Sequence, residues 1–162
     1  MKYFEFPYER IDINNSRAII SDIVNRFVKS NDAKDQISII MEMDNIMREY
    51  TSYEAIASLN FSRNINDSAA KSEKEYYDSI SPEMMEQIDS FNRALDKSLY
   101  KEEINKKFGE TYLKQNELSL KAFDPHIKNM LKEEIELKNE YEKLTAGAKI
   151  EYDGQHYNLA GL

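Results

Sequence analysis

Residues 33–60 read AKDQISIIMEMDNIMREYTSYEAIASLN. Ile40 and Met41 follow Ile37 by three and four residues, and Asp44, Met47 and Tyr50 continue at intervals of three, with Met43, Ile46 and Tyr53 beside them. This is the repeat of a helix with one buried side, not the alternation of a strand. The apolar positions continue through Ile56, Ala57 and Leu59, so the spacing predicts one unbroken helix from Ala33 to about Asn60.

The same repeat extends to both sides. Upstream, Ile19, Ile20, Ile23, Val24 and Phe27 predict a helix from about Ser16 to Lys29, with Asn14, Asn15 and Ser16 as N-cap candidates. Ser30-Asn31-Asp32 separates the two helices. Before them, Tyr3 to Ile13 alternates aromatic and charged residues around Pro7 and reads as an extended arm. Downstream, Asn64 to Ser68 is a polar break, and a helix carrying Tyr76, Tyr77 and Ile80 starts near Ser68. Ser81-Pro82-Glu83 then predicts either a kink or a new helix start. Met84, Met85, Ile88, Phe91, Leu95 and Leu99 keep the repeat going.

Lys106-Lys107-Phe108-Gly109 marks a junction at which Gly109 can end a short helix in the left-handed conformation. Another helix carries Tyr112, Leu113, Leu118, Leu120 and Phe123. Asp124-Pro125 is a helix start, an N-cap followed by proline at the first helical position. The last helix presents Ile127, Met130, Leu137, Tyr141 and Leu144, with Glu134 where a heptad wants an apolar residue, and should end near Gly147.

The tail changes period. Lys149 to Tyr152 and Gln155 to Leu159 alternate apolar and polar around Asp153-Gly154, which supplies the backbone angles of a tight hairpin turn. The fold class is mainly α: long antiparallel helices with a small C-terminal β-hairpin. The division is 1–148 as a helical domain and 149–162 as the hairpin. A two-stranded hairpin is marginal in water and needs a neighbour. The stop at Leu162, right after the hairpin, predicts a piece of a longer polypeptide.

Composition removes several functions. The 162 residues carry 22 basic and 30 acidic side chains, net −8, which disfavours nucleic acid and anionic membranes. There is no cysteine, so thiolate chemistry and disulfides are out. No signal peptide or bilayer-length apolar run is present, and a cytoplasmic location is expected. The four glycines, Gly109, Gly147, Gly154 and Gly161, are too dispersed for a phosphate-binding loop, and no serine sits in Gly-x-Ser-x-Gly.

Zinc hydrolysis needs several converging donors, on a helix as His-Glu-x-x-His. The chain has only His126 and His156, and neither opens that motif. No catalytic, metal or cofactor residue is assigned. Glu102-Glu103, Glu133-Glu134 and the pair Glu136 and Glu140 are interspersed with Lys101, Lys106, Lys132 and Lys138 and read as a solvated, ion-paired surface. Tyr50, Tyr53, Tyr76 and Tyr77 could wall a peptide site, but core and core rim explain them better.

Certain segments resemble a known family. Phe6-Pro7-Tyr8-Glu9-Arg10, Ala57-Ser58-Leu59 before a polar break, and Lys106-Lys107-Phe108-Gly109 are similar to the N-terminal region of bacterial oligoendopeptidase F-like proteins, which are thimet-oligopeptidase-like zinc peptidases. Glu117 to Pro125 is the closest stretch, followed at the same interval by Glu140 to Leu144 and Ala148 to Leu159. The resemblance implies a helical region that packs on a catalytic domain of the same parent protein and, with it, encloses a channel for short peptides. Zinc is expected only in that other domain, because no position here matches its ligands. An exposed apolar patch near the hairpin and last helix should mark the docking face, with Ile150, Tyr152, Tyr157 and Leu159 as its residues. The alternatives are an autonomous helical module that binds proteins or peptides without enzymatic role, and a structural coiled coil, which Glu134 weakens.

Overall fold

The first helix begins one turn earlier than its asparagines suggest. In the computed structural model, which describes residues 7–122, 124–152 and 154–157, α1 spans Ile13–Lys29. Its cap is Asp12, whose carboxylate accepts from the amides of Asn14 at 2.9 Å and Asn15 at 3.4 Å. A carboxylate at this position also meets the positive end of the helix dipole, so Asp12 displaces the expected caps Asn14, Asn15 and Ser16.

α2 runs unbroken over Ala33–Arg63, capped by Asp32. α3 spans Ser68–Asp96, capped by Asp67. Pro82 neither ends nor restarts α3. An interior proline loses one helical hydrogen bond and clashes with the preceding turn. Here the ring is fully buried, and packing on both flanking turns offsets that loss. The three-residue and four-residue connections turn each long helix back along its predecessor. α4 (Lys101–Phe108) and α5 (Glu110–Ala122) complete the set. Gly109 between them has φ 87° and ψ 159°. Its φ is positive, as a helix-ending glycine requires, but ψ is extended, a region essentially closed to residues with a Cβ. The geometry therefore turns the chain from α4 directly into α5 instead of forming an ordinary left-handed cap.

The chain divides into two compact units, Met1–Pro125 and His126–Leu162. In the first, α3 packs against α1, α2 and α5, and α4 closes against α2 and α5. Its core takes Ile20, Ile23 and Phe27 from α1, Ile39, Ile40 and Met43 from α2, Tyr77, Met84, Phe91 and Leu95 from α3, and Ile104 from α4. Phe27 and Phe91 meet edge-on at 5.4 Å, a favoured aromatic geometry. The buried polar residue Gln36 joins three segments. Its amide donates to the Phe27 and Ser30 carbonyls, both at 3.3 Å, and its oxygen accepts from Ser98 Oγ at 2.6 Å. Burying an amide is tolerable only when its hydrogen bonds are made, and these tie the α1–α2 turn to the end of α3.

In the second unit, Asp124-Pro125 leads into a 3-10 turn at Pro125–Ile127, and α6 spans Lys128–Ala146 with Gly147 as C-cap. The helix therefore starts later than the Asp-Pro pair suggests. Strands β1 (Ile150–Tyr152) and β2 (Gln155–Tyr157) pair antiparallel, with Ile150 opposite Tyr157 and Tyr152 opposite Gln155. Gly154 has φ 73°, as the tight turn requires. Asp153 lies outside the described residues.

Candidate interaction surface

α6 is amphipathic, and its apolar stripe is uncovered. Met130, Leu137, Tyr141 and Leu144 follow one another at intervals of seven, four and three, which places them along one side of the helix. They are 67%, 65%, 66% and 74% exposed. Single exposed apolar side chains are ordinary on any protein surface. Four aligned on one helix make the row of anchors that a helix offers to an apolar groove. Glu134 stands within the stripe and is exposed. Leu131 and Ile135, on the neighbouring face, are half-buried.

The hairpin residues expected to dock are placed as follows. Directly opposed residues in a two-stranded ladder share a face, so positions 150, 152 and 157 fall on one side and positions 151 and 156 on the other. Ile150 and Tyr157 are half-buried, and the Tyr157 hydroxyl donates to Gln155 Oε1 at 3.0 Å. Leu159 lies outside the described residues. Among the described residues of this unit the most exposed large apolar side chains are those of α6, a stripe visible in the sequence as a heptad-like repeat.

The candidate titratable groups are placed as follows among the described residues. His126 is exposed in the 3-10 turn and His156 stands on β2 opposite Glu151. A catalytic zinc wants three converging protein donors and an open position. Among the described residues no three histidine or carboxylate side chains converge, and two histidines without a motif do not fit that requirement. Glu133, Glu134, Glu136 and Glu140 are all exposed, as are Glu102 and Glu103 in the first turn of α4, where they favour the helix dipole.

The tyrosines belong to the core and its rim. Tyr77 is 0% and Tyr50 5% exposed, with ring centroids 6.0 Å apart, so neither can wall an open site. Tyr76 and Tyr53 pack at the edge of that core. Around them the arm before α1 is latched to α3, a function that no motif announced. Arg10 lies over the Tyr76 ring at 4.6 Å and makes a forked pair with Glu73, at 2.5 Å and 3.1 Å. The Tyr8 hydroxyl donates to the same carboxylate at 2.5 Å, and that of Tyr76 to the Ile11 carbonyl. Arg10's hydrogen bond, aided by that of Tyr8, holds the Glu73 carboxyl below its ordinary value. Burial pushes the Tyr50 and Tyr77 phenols above theirs.

Residues 3–123 match the family model described as Peptidase M3 N-terminal domain. The fold is similar to that of a solved structure of PZ peptidase A with inhibitor 2 (TM-score 0.92, 28% identity, covering 98% of this chain and 28% of that one). It is equally similar to a putative oligoendopeptidase F (TM-score 0.92, 29% identity, 99% and 28% covered). A putative oligoendopeptidase F from Bacillus anthracis str. Ames shares the fold at 22% identity (TM-score 0.92, 99% and 29% covered). The chain thus spans less than a third of the length of these structures. No curated protein matches it.

Proposed function

Because the chain belongs to the peptidase M3 N-terminal domain family, we propose that it is the non-catalytic helical portion of a zinc oligoendopeptidase, walling a channel through which short peptides reach a catalytic domain outside these 162 residues. The single observation that carries the reading is the pairing of that family match with the uncovered stripe of α6. Four aligned, largely exposed apolar side chains are the surface expected of a helix that docks on a further domain. On this reading the hydrolytic step and its zinc belong to the other domain. This chain contributes surface and shape: its fully cored unit holds the wall, and α6 with the hairpin positions Ile150, Tyr152, Tyr157 and Leu159 supplies the contact. The cytoplasm is the expected site of action. Among the described residues no helix is long and apolar enough to cross a membrane.

The test uses a quenched-fluorescent short peptide. The pure chain should give no turnover. An oligoendopeptidase F shortened by the segment corresponding to this chain should be impaired and should recover when the chain is added. Leu137→Glu together with Leu144→Glu, placed on the exposed side of α6, should abolish the recovery while the circular dichroism of the chain is retained. Chelator-sensitive hydrolysis by the pure chain overturns the proposal, and so does the absence of any recovery with the wild-type chain.

A further inference from the structure

A second surface lies within the first unit, where α2, α3 and α5 enclose an open cleft of about 240 Å³. That is below the roughly 300–1,000 Å³ of small-molecule sites, a space for one side chain and not for a cofactor. Its walls combine apolar residues, among them Met47, Ile88 and Phe91, with Asp44, Tyr112 and Asn116. Among the described residues Asp44 is the only charged one that lines it. Asn116 is 7% exposed. Its amide donates to the Asn92 carbonyl at 3.1 Å, and its Oδ1 is buried with no hydrogen-bond partner among the described residues. A buried acceptor without a donor is expensive and uncommon in a folded protein. The cleft therefore offers a half-buried carboxylate beside an apolar wall, with an unsatisfied carbonyl oxygen buried in its lining. An occupant that satisfies all three carries several N–H donors, a positive charge and an apolar stem.

We propose that this cleft is a binding site for a basic side chain of a short peptide, arginine above all, with the guanidinium at Asp44 and Asn116 and the methylenes against Met47, Ile88 and Phe91. Arginine fits better than lysine because its planar fork can serve two acceptors at once. The net charge of −8 draws such a group toward the surface. Arg48, one turn along α2, is the cation that acts on Asp44 and moderates the attraction. Burial also holds the Asp44 carboxyl above its ordinary value, an effect that a bound cation would reverse. The choice of a peptide as source rests on the channel reading above. The chemistry of the cleft does not.

The experiment titrates the isotope-labelled chain with acetyl-arginine-amide, acetyl-lysine-amide and acetyl-norleucine-amide at matched ionic strength, followed by amide NMR shifts. Arginine should move the Asn116 side-chain amide and the backbone amides of Asp44 and Tyr112, lysine less, and norleucine not at all. Asp44→Asn, folded by circular dichroism, should weaken arginine binding at least tenfold. Tyr112→Phe, which keeps the ring, should retain most of it. Shifts equal for arginine and norleucine overturn the site, as does arginine binding that is unchanged in Asp44→Asn. A tripeptide with central arginine should bind at least as tightly as the amino-acid amide; weaker binding overturns the assignment to a peptide. Because every arm uses this chain alone, its outcome is independent of whether a catalytic domain can be rescued.

Discussion

Leu95 and Leu137 occupy equivalent positions in equivalent patterns, each a leucine in a three-or-four repeat on a helix. Leu95 is 1% exposed on α3 and Leu137 is 65% exposed on α6. The contrast holds for the two units that contain them. Met1–Pro125 closes a core from α1 to α4. In His126–Leu162 no described residue is fully buried. Periodicity identifies the face of a helix that wants covering, but not what covers it. In the first unit the cover is in the same 125 residues. In the second, by the reading above, it is elsewhere.

The largest effect should come from truncating a covered leucine. Leu95→Ala removes buried methyls from the junction of α3 with its neighbours and should lower the unfolding free energy by about 2–5 kcal/mol, measured by chemical denaturation. A loss below about 1 kcal/mol would mean that the core is loose and the contrast between units overstated.

Two glycines sharpen the contrast. Gly109 and Gly154 both have positive φ, and a Cβ built on either meets nothing within 4 Å. The cost of alanine at each is therefore backbone strain alone, about 1–3 kcal/mol. Gly109→Ala should lower the main cooperative transition by that amount, since Gly109 joins α4 to α5 in the cored unit. Gly154→Ala should leave that transition unchanged and instead speed hydrogen exchange at the hairpin amides. A shared loss of midpoint would show that the units unfold together.

Proton linkage gives a smaller and signed test. Glu73 is held below its ordinary value near 4.5 by Arg10 first, so the latch contributes stability above that pH and loses it as pH falls through the depressed folded value. Asp44 is raised above 3.8 by burial, so it weakens the fold at neutral pH and stops doing so below its unfolded value. Glu73→Gln should lower, and Asp44→Asn raise, the melting temperature at pH 7. Both differences should vanish near pH 2. Parallel shifts of the same sign would contradict the assigned environments.

How far these features were legible depends on the range of the interaction that fixes them. The extent of α2 and the Asp-Gly hairpin follow from residues within a few positions of one another. Pro82 inside α3 did not, because the burial that offsets its lost hydrogen bond comes from other helices. Asp12 does not stand out in the sequence as a cap because three good capping residues follow it, and propensity alone does not rank neighbours. The Arg10–Glu73 latch and the Asp44 cleft join residues more than 60 positions apart and follow no motif. Tyr50 and Tyr77 were legible as core from period alone, since their partners are on the long helices that the same period defines. For α6 the sequence showed the stripe and the misfit Glu134, and a heptad alone could not say whether a second α6 or another domain covers it.

The smallest effect should come from the exposed leucine, and it discriminates most. Leu137→Ala removes the same atoms as Leu95→Ala, yet it takes little surface out of a core that does not include it. In the 162-residue chain its effect should stay within about 0.5 kcal/mol, as at other surface positions. Joined to a catalytic domain, the same substitution should cost more than about 1 kcal/mol if Leu137 is an anchor at the centre of an interface, read as a lower midpoint for rescued peptidase activity against chain concentration. A loss already present in the isolated chain would place the cover of α6 within these residues. No loss in either setting would make the stripe incidental surface and leave the family match without a contact to carry it. A loss confined to the joined protein would assign α6 its missing layer, and it would do so with one leucine that differs from its core counterpart in nothing but what lies across from it.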